Sequence, residues 1–231
     1  MRARIFFAAM GITLGASTAV VADSAFAFAF GASTFDLDEL ETQLGDNGYA
    51  PRLDVGDVLS GFSCYRLTEG GLVLGVEIQG ARQSVFSDSA RAEVSVSTFV
   101  LQLGRTVHRT KRLRVYPLIG IGNSGARVHL TRRAARPGFD EAVRPVFRES
   151  RLSAGSMTLQ LAVGADYHLP ASRHGRGRSG LLLGARIGYN LRPTDPRWQM
   201  EEEDVLGGPE IDSAGPFFRI LIGYGRMGKV R

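Results

Sequence analysis

The chain has 231 residues, enough for one large domain or two small ones, and its 29 glycines and 44% hydrophobic residues exclude a disordered chain. Its one cysteine, Cys64, permits no internal disulfide, so cysteine usage does not indicate a redox compartment. The net charge of +5 is spread along the chain instead of being concentrated in one basic stretch. We therefore expect no nucleic-acid partner.

The first segment, Met1–Ala22, has two arginines, then an apolar run from Ile5 to Val21 that ends in small residues. This order is typical of a secretory signal peptide, and Val20-Val21-Ala22 predicts cleavage after Ala22. A second possible site follows Ala27. A membrane anchor is the alternative, but the run of about 17 residues is near the lower limit for spanning a bilayer. We predict a leader at residues 1–22 and one domain at residues 23–231.

Beyond the leader, most of the chain alternates apolar with small or polar residues, which is the pattern of a β-strand with two different faces. The clearest example has Phe26, Phe28 and Phe30 on one face and alanines on the other. Eight segments show the pattern to varying degrees. The predicted strands are Ser24–Gly31, Val58–Leu67, Leu72–Gly80, Ala90–Arg105, Leu113–Leu130, Met157–His168, Leu181–Arg192 and Pro216–Met227.

Three segments interrupt this pattern. Thr34–Leu44 has leucines at helical spacing, which predicts a short helix with Thr34 as its N-cap, packed on a rim. Pro117 lies inside a predicted strand and indicates a bulge or a local defect, because proline donates no ladder hydrogen bond. Thr131–Ala154 and Pro193–Gly215 are predicted as long loops.

The connections after the second, fourth and sixth strands are comparatively short, and the others are long or polar, apart from a modest third connection. An antiparallel barrel with short turns at one end and longer loops at the other has this arrangement. With pieces such as Leu-Leu-Leu-Gly-Ala-Arg-Ile-Gly-Tyr (181–189) and Phe-Phe-Arg-Ile-Leu-Ile-Gly-Tyr-Gly (217–225), the chain resembles small eight-stranded outer-membrane β-barrels of the OmpA/OmpX-like kind. It departs from many of them in ending at Arg231 without a terminal aromatic residue.

The resemblance implies an all-β, eight-stranded antiparallel up-and-down transmembrane β-barrel with one short helix in the first long loop, exported to the outer membrane of a Gram-negative cell envelope. An eight-stranded barrel has an interior that side chains fill. Charges there have to pair, so we predict a closed lumen and no water channel. The inward parity predicts a polar network of Glu77, Gln79, Tyr116, Gln160, Asp166, Arg186, Asn190 and Arg219.

The sequence indicates no catalytic residue, metal site or cofactor. The four histidines lack metal-ligand spacing, and a Ser-His-acid site built from His168, Asp166 and Ser172 or Ser179 has no supporting motif. We therefore predict a monomeric, non-enzymatic barrel that provides surface structure or binding through its loops. Two alternatives remain, a secreted or periplasmic lipocalin-like barrel that binds a small apolar ligand, and a lipid-modifying outer-membrane enzyme.

One long connection is rich in arginine, a side chain that binds phosphate well. Its first part contains Arg132, Arg133 and Arg136. The outer leaflet of a Gram-negative cell is made of phosphate-rich lipopolysaccharide. We therefore expect outer-membrane lipid as a partner, with lipopolysaccharide as a possible ligand of these three arginines.

Overall fold

The computed structural model describes residues 23–49, 58–86, 90–132, 148–172, 177–200, 203–205 and 207–228, and the predicted leader lies outside them. Within these ranges no helix is long and apolar enough to cross a bilayer. The elements are β1 (Asp23–Ser33), α1 (Asp38–Asp46), β2 (Val58–Leu67), β3 (Leu72–Phe86), β4 (Ala90–Arg105), β5 (His108–Arg109), β6 (Leu113–Arg132), β7 (Arg148–Ser172), β8 (Gly177–Leu191), β9 (Arg197–Met200), β10 (Glu203–Val205) and β11 (Gly215–Gly228).

Eight of these strands form a closed antiparallel ring in the order β1-β2-β3-β4-β6-β7-β8-β11, and β11 pairs back with β1. This confirms the predicted all-β fold of eight barrel strands with one short helix in the first long connection. In such a ring, successive connections leave from opposite ends. We call the end that carries the connections after β2, β4 and β7 the turn end, and the opposite end the loop end.

The inner and outer faces of the barrel follow the sequence alternation. On β1, Ala25, Ala27 and Ala29 are buried inside, while the outward Phe26 and Phe28 are 56% and 44% exposed. Because β1 contributes only methyl groups at these positions, long side chains from the other strands can occupy the lumen.

Two strands, β3 and β7, extend well beyond their predicted bounds toward the loop end. β3 continues to Phe86 instead of ending at Gly80, and β7 begins at Arg148 inside a predicted loop. A hairpin of β9 and β10, also inside a predicted loop, joins this sheet through the pairing of Ala154 with Trp198. We call the loop-end parts of β3, β4, β6 and β7, with β9 and β10, the projecting wall.

The helix α1 packs against the inner face of the projecting wall and is not a rim ornament. Its Leu40 and Leu44 are buried in a cluster that joins the helix to four barrel strands. Thr34 is not the N-cap: it donates to the carbonyl oxygen of Pro216, and the N-cap position is Leu37. The loop-end apolar cluster consists of Phe35, Leu37, Leu40, Leu44, Leu59, Val94, Val96, Ala126, Val128, Ala154, Trp198 and Ile211.

Hydrogen bonds fix the last long connection against this cluster. The indole of Trp198 donates to the carbonyl oxygen of Pro209 at 2.7 Å. Arg192 donates to Glu210 Oε1 at 2.6 Å and to the carbonyl oxygen of Ile211 at 2.7 Å. The hydrogen bond to Glu210 raises the pKa of the Arg192 guanidinium above its ordinary value. The connection is thereby fixed to the strand that precedes it.

The prediction of a bulge or a local defect at Pro117 is wrong. Pro117 pairs with Val163 in continuous register, and it lies one residue beyond the last pair of β4 with β6, Gly104 with Leu118. A proline at the end of a ladder leaves no hydrogen bond to β4 unmade. The register shift in the described strands occurs instead between Pro170 and Ser172.

Candidate functional site: the barrel interior and the loop-end surface

A glutamate held by two arginines lies at the middle of the lumen. Arg186 Nη1 donates to Glu77 Oε2 at 2.5 Å, and Arg219 Nη1 donates to Glu77 Oε1. The three side chains are at most 2% exposed. A buried carboxylate between two guanidinium groups is stabilised by attraction that offsets part of the cost of removing three charges from water.

A carboxylate beside this trio, that of Asp166, is held by tyrosines and has no arginine partner among the described residues. The hydroxyl groups of Tyr65 and Tyr116 both donate to Asp166 Oδ2, the second at 2.9 Å. The guanidinium carbons of Arg114 and Arg186 lie 5.9 Å and 5.7 Å from the centre of the Tyr65 ring. Rings and cations at these distances attract each other, so the two carboxylates belong to one connected group of side chains.

Amide groups continue the network toward the loop end. Gln102 donates to Gln160 Oε1 at 2.8 Å, and Gln160 donates to Asn190 Oδ1 at 3.2 Å. Gln102 Oε1 also accepts from Arg186 at 2.8 Å, which connects the amides to the charged trio. The next layer is a group of hydroxyls in which Ser124 bonds with Thr98 and Thr158.

At the turn end the lumen closes on a second ion pair. Asp23, the first residue of β1, accepts from Arg114 at 2.9 Å and from Arg109 at 3.1 Å. His168 is buried here, with its Nε2 3.1 Å from the carbonyl oxygen of Gly225. Polar layers therefore extend from Asp23 to Ser124 in the described part of the lumen, and apolar side chains such as Leu182 and Leu221 pack beside them.

The structure places all eight residues of the predicted network inside the barrel. It brings seven of them into contact, whereas the buried amide of Gln79 has no hydrogen-bond partner among the described residues. Tyr65, Gln102 and Arg114 also belong to this network but were not predicted from the sequence. Arg114 shares the parity of Tyr116 and could have been found from it.

Two glycines make room for this network. An added Cβ at Gly164 would lie 2.4 Å from the ring of Tyr116, and one at Gly184 would lie 2.7 Å from Asp166 Oδ1. Both distances are shorter than carbon atoms tolerate. The glycines are therefore needed opposite the long side chains, as the alternation of sizes in a narrow barrel requires.

The outer face of the barrel carries a belt of large apolar side chains between the turn end and the projecting wall. The members differ in type, but all face outward and are substantially exposed to solvent in the isolated chain. We call this the outer belt: Phe26, Phe28, Phe62, Leu74, Ile78, Phe99, Leu101, Leu103, Ile119, Ile121, Leu161, Val163, Leu183, Ile187, Phe218, Ile220 and Ile222.

The belt stops at a row of small residues on four neighbouring strands. Gly80 pairs with Ser97, Ser97 with Gly125, and Gly125 with Gly155. On the loop-end side of this small-residue row most outward residues are polar, with Phe86 as an exception, and most inward residues are apolar. The projecting wall therefore has the opposite amphipathicity to the belt, on the same strands.

The outer face of the projecting wall contains a groove of about 510 Å³. Arg127 lines it and has no ion-pair partner among the described residues, whereas Arg82 pairs with Glu93. The complete lining is Arg82, Glu93, Ser95, Arg127, Val128, His129, Arg151, Leu152 and Ser153. Of the three arginines predicted to contact lipopolysaccharide, Arg132 ends β6, and Arg133 and Arg136 lie outside the described residues.

The Ser-His-acid arrangement considered from the sequence is not assembled. Asp166 bonds with tyrosines, and His168 points into the lumen while Ser179 lies on the outward parity of β8. The side chain of Ser172 lies outside the described set. Across the described ranges, no three His, Cys, Asp or Glu residues could together hold a metal ion.

Comparison with protein-family models and with curated proteins finds no match. Among solved structures, Ail, the attachment invasion locus protein of Yersinia pestis, is 11% identical, with 88% of this chain and 97% of that chain covered and a TM-score of 0.42. OprG, an outer membrane protein of Pseudomonas aeruginosa, is 14% identical, with coverage of 90% and 96% and a TM-score of 0.39. No role is transferred from either protein at this distance. The chain's own strand order is that of a closed, eight-stranded antiparallel β-barrel.

Proposed function

We propose that the protein is a non-conducting outer-membrane β-barrel that presents a structured surface at its loop end. The outer belt supports the membrane location, because large apolar side chains around a whole barrel are stable in hydrocarbon and costly in water. Short turns at one end and long connections at the other support placing the loop end outside the cell.

The observation that carries the closed lumen is the trio of Glu77, Arg186 and Arg219. It crosses the barrel from β3 to β8 and β11, and the neighbouring amides and tyrosines occupy the space around it. Opening a water channel here would require separating buried ion pairs, which is costly. The network thus has a structural role and no conducting one.

The same distribution argues against the lipocalin-like alternative. A barrel that holds a small apolar ligand needs an apolar interior and a polar exterior. In this chain the charged side chains of Glu77 and Arg219 are inside, and Phe28 and Ile121 are outside. Asp166 and His168 are parts of the packed interior of the barrel, and we assign no catalytic step to them.

The surface role rests on the projecting wall and its helix. The loop-end apolar cluster gives these segments a core of their own, so they hold a fixed shape beyond the belt. A fixed surface loses less conformational entropy when it binds a partner than a mobile loop does. We therefore assign binding to this end of the molecule.

The partner that we propose for this surface is the phosphorylated glycolipid of the outer leaflet. The groove on the outer face begins next to the small-residue row, where lipid headgroups would lie. Arg127 offers it a guanidinium that has no ion-pair partner among the described residues. Arginine binds phosphate with two parallel hydrogen bonds. Arg132 continues the strand beyond Arg127, toward Arg133 and Arg136.

Cell fractionation together with gel mobility before and after boiling tests the membrane location. A folded barrel should pellet with the outer membrane and migrate differently once heated. A soluble protein whose mobility does not change on heating would contradict the proposal. Planar-bilayer recordings test the lumen separately, and a large stable conductance from the purified protein would contradict the closed state.

Two triple variants test the glycolipid contact. One replaces the groove residues Arg82, Arg127 and Arg151 with Gln, and the other replaces Arg132, Arg133 and Arg136 with Ala. Both remove the same charge, so they separate a contact in the groove from one in the loop. We expect both to weaken binding of purified lipopolysaccharide by the refolded barrel. Unchanged affinity in both would exclude this partner.

A further inference from the structure

A row of hydrogen-bond donors lies on the outer face at the turn end, on four neighbouring strands. Arg66 of β2 and Arg226 of β11 are both paired in register with Ser24 of β1, and Ser179 of β8 is paired with Arg226. Arg66, Ser24 and Arg226 are exposed. The row therefore alternates two hydroxyls with two guanidinium groups. We call it the turn-end donor row.

Neither guanidinium in this row binds another side chain in the part of the chain that the structure describes. Among the described residues, Arg66 and Arg226 have no ion-pair or hydrogen-bond partner, and the acid of the adjacent turn, Glu69, is not paired with either. The nearest strand carboxylate, Asp23, points into the lumen and is bound by Arg109 and Arg114. Two guanidinium groups with no carboxylate paired to them, beside two hydroxyls that can donate, are suited to an anion.

The spacing fits one phosphate between the two arginines. Neighbouring strands are about 4.8 Å apart, so the backbones at Arg66 and Arg226 are separated by roughly 10 Å with Ser24 between them. Two arginine side chains can converge over that distance on a single group with several acceptor oxygens. Hydrogen bonds between a guanidinium group and a phosphate are charge-assisted, which makes them about twice as strong as neutral ones.

The outward residues next to the donor row, on the side of the outer belt, indicate the kind of molecule that carries the phosphate. Phe26 lies between Tyr224 and Cys64 in register, directly beside the donor row. The ring of Phe26 stacks on Phe62 at 5.6 Å, and Phe28 packs edge-on against Phe62 at the same distance. An apolar aromatic surface that starts one row from a phosphate site suits a molecule with a polar head and acyl chains.

We propose that the turn-end donor row binds the phosphodiester of an anionic glycerophospholipid in the leaflet on the turn-end side of the membrane. The inference rests on the proposed function, because it requires the outer belt to lie in a bilayer. Arg66 and Arg226 bind the phosphate oxygens, Ser24 donates from below, and the acyl chains lie along Phe26 and Phe62. The site is separate from the groove of the projecting wall, which lies at the other end of the barrel.

The test is native mass spectrometry of the refolded barrel in detergent micelles, titrated with phosphatidylglycerol or phosphatidylcholine. The test variant is Arg66→Gln with Arg226→Gln. The matched control is Arg105→Gln with Arg112→Gln. These two arginines are exposed and lie at the same end, and their replacement removes the same charge as the test variant. We expect the test variant to lose about tenfold in phosphatidylglycerol affinity beyond the loss in the control. Phosphatidylcholine should bind weakly to every protein.

Equal losses in the two variants would show attraction by overall charge and would overturn the site. Equal binding of the two lipids by the native protein would overturn the preference for an anionic lipid. If glycerol phosphate at the same concentration displaces the lipid, the row takes a soluble phosphate ester, and the lipid assignment is wrong. A protein that lacks the mobility shift on heating would instead contradict the proposed function, so the two failures are distinguishable.

Discussion

Two glutamates in this chain each bind two arginines, and the two trios lie in opposite settings. Glu77 is inside the barrel, where Arg186 and Arg219 are 1% exposed. Glu93 is on the outer face of the projecting wall, where Arg82 and Arg91 are 67% and 50% exposed. The chemical groups in the two trios are the same. Any difference in their contribution to stability therefore reports the difference between the interior of the barrel and its outer surface.

The comparison shows that the barrel reverses its amphipathicity along continuous strands. On β4, Thr98 and Gln102 face inward opposite an apolar outer face, and Val94 and Val96 face inward opposite Glu93. The pairing register of β4 does not change between the two zones. In the proposed membrane placement, the surroundings of β4 change at the small-residue row, from hydrocarbon outside the belt to water outside the projecting wall.

The largest expected effect comes from Glu77→Gln. This change leaves Arg186 and Arg219 buried without a counter-charge, and breaking such a pair destabilises by about 3–5 kcal/mol. The urea midpoint for unfolding in lipid vesicles, read from the heat-dependent mobility shift, should fall accordingly. An unchanged midpoint would mean that water reaches the trio, which contradicts the closed lumen.

Leu40→Ala should have the next largest effect, and only at the loop end. Removing a buried leucine side chain costs about 2–5 kcal/mol, and here the loss falls on the loop-end apolar cluster. The chain has one tryptophan, Trp198, which lies in this cluster, so its emission should shift to the red while the barrel keeps its heat-dependent mobility shift. Gln43→Ala, on the exposed side of α1, is the control. Emission that responds equally to both would contradict the placement of the helix.

Arginine substitutions along the outer face of β6 locate the reversal itself. At Ile121, in the outer belt, arginine should destabilise by about 2–4 kcal/mol, and at Asn123, next to the small-residue row, by about 0–1 kcal/mol. Both variants are measured by the same unfolding assay in vesicles. Equal costs at the two positions would mean that the membrane boundary does not lie at the row.

The smallest effect is expected for Glu93→Gln, which changes the same kind of group as Glu77→Gln. Its partners are largely exposed, and solvent screens such pairs, so the loss should be below about 1 kcal/mol. If this variant matched Glu77→Gln in the unfolding assay, the contrast between the two trios would disappear.

The alternation of the sequence was enough to place the eight strands and to select residues such as Glu77, Asp166 and Arg219 for the lumen. It was least clear at Phe99–Leu103 on β4, close to the small-residue row. In this stretch the apolar residues shift from the inward to the outward face of the strand, so both faces carry apolar residues. The alternation therefore did not single out Gln102 as an inward residue. The sequence pattern shows which side chains alternate along a strand. Which of the two faces is buried depends on whether lipid or water surrounds that part of the barrel.

The helix illustrates a second limit of local patterns. Its leucine spacing predicted a helix near Thr34–Leu44, but not its position against Val94 and Ala126. Those contacts join segments far apart in the chain, and no local pattern contains them. For the same reason Thr34 was taken for a cap, whereas its hydroxyl bonds with Pro216 of the distant strand β11.

The smooth inner face of β1 has a consequence for assembly. The charged side chains at the middle of the lumen come from β3, β6, β7, β8 and β11. Beyond Asp23 at its end, the inward residues of β1 are all small: Ala25, Ala27, Ala29, Gly31 and Ser33. The ion pairs of Glu77 with Arg186 and Arg219 can therefore form while the barrel is still open between β1 and β11. Closing this seam needs only backbone hydrogen bonds and the contact of small side chains, and no long side chain of β1 has to pass through a filled lumen.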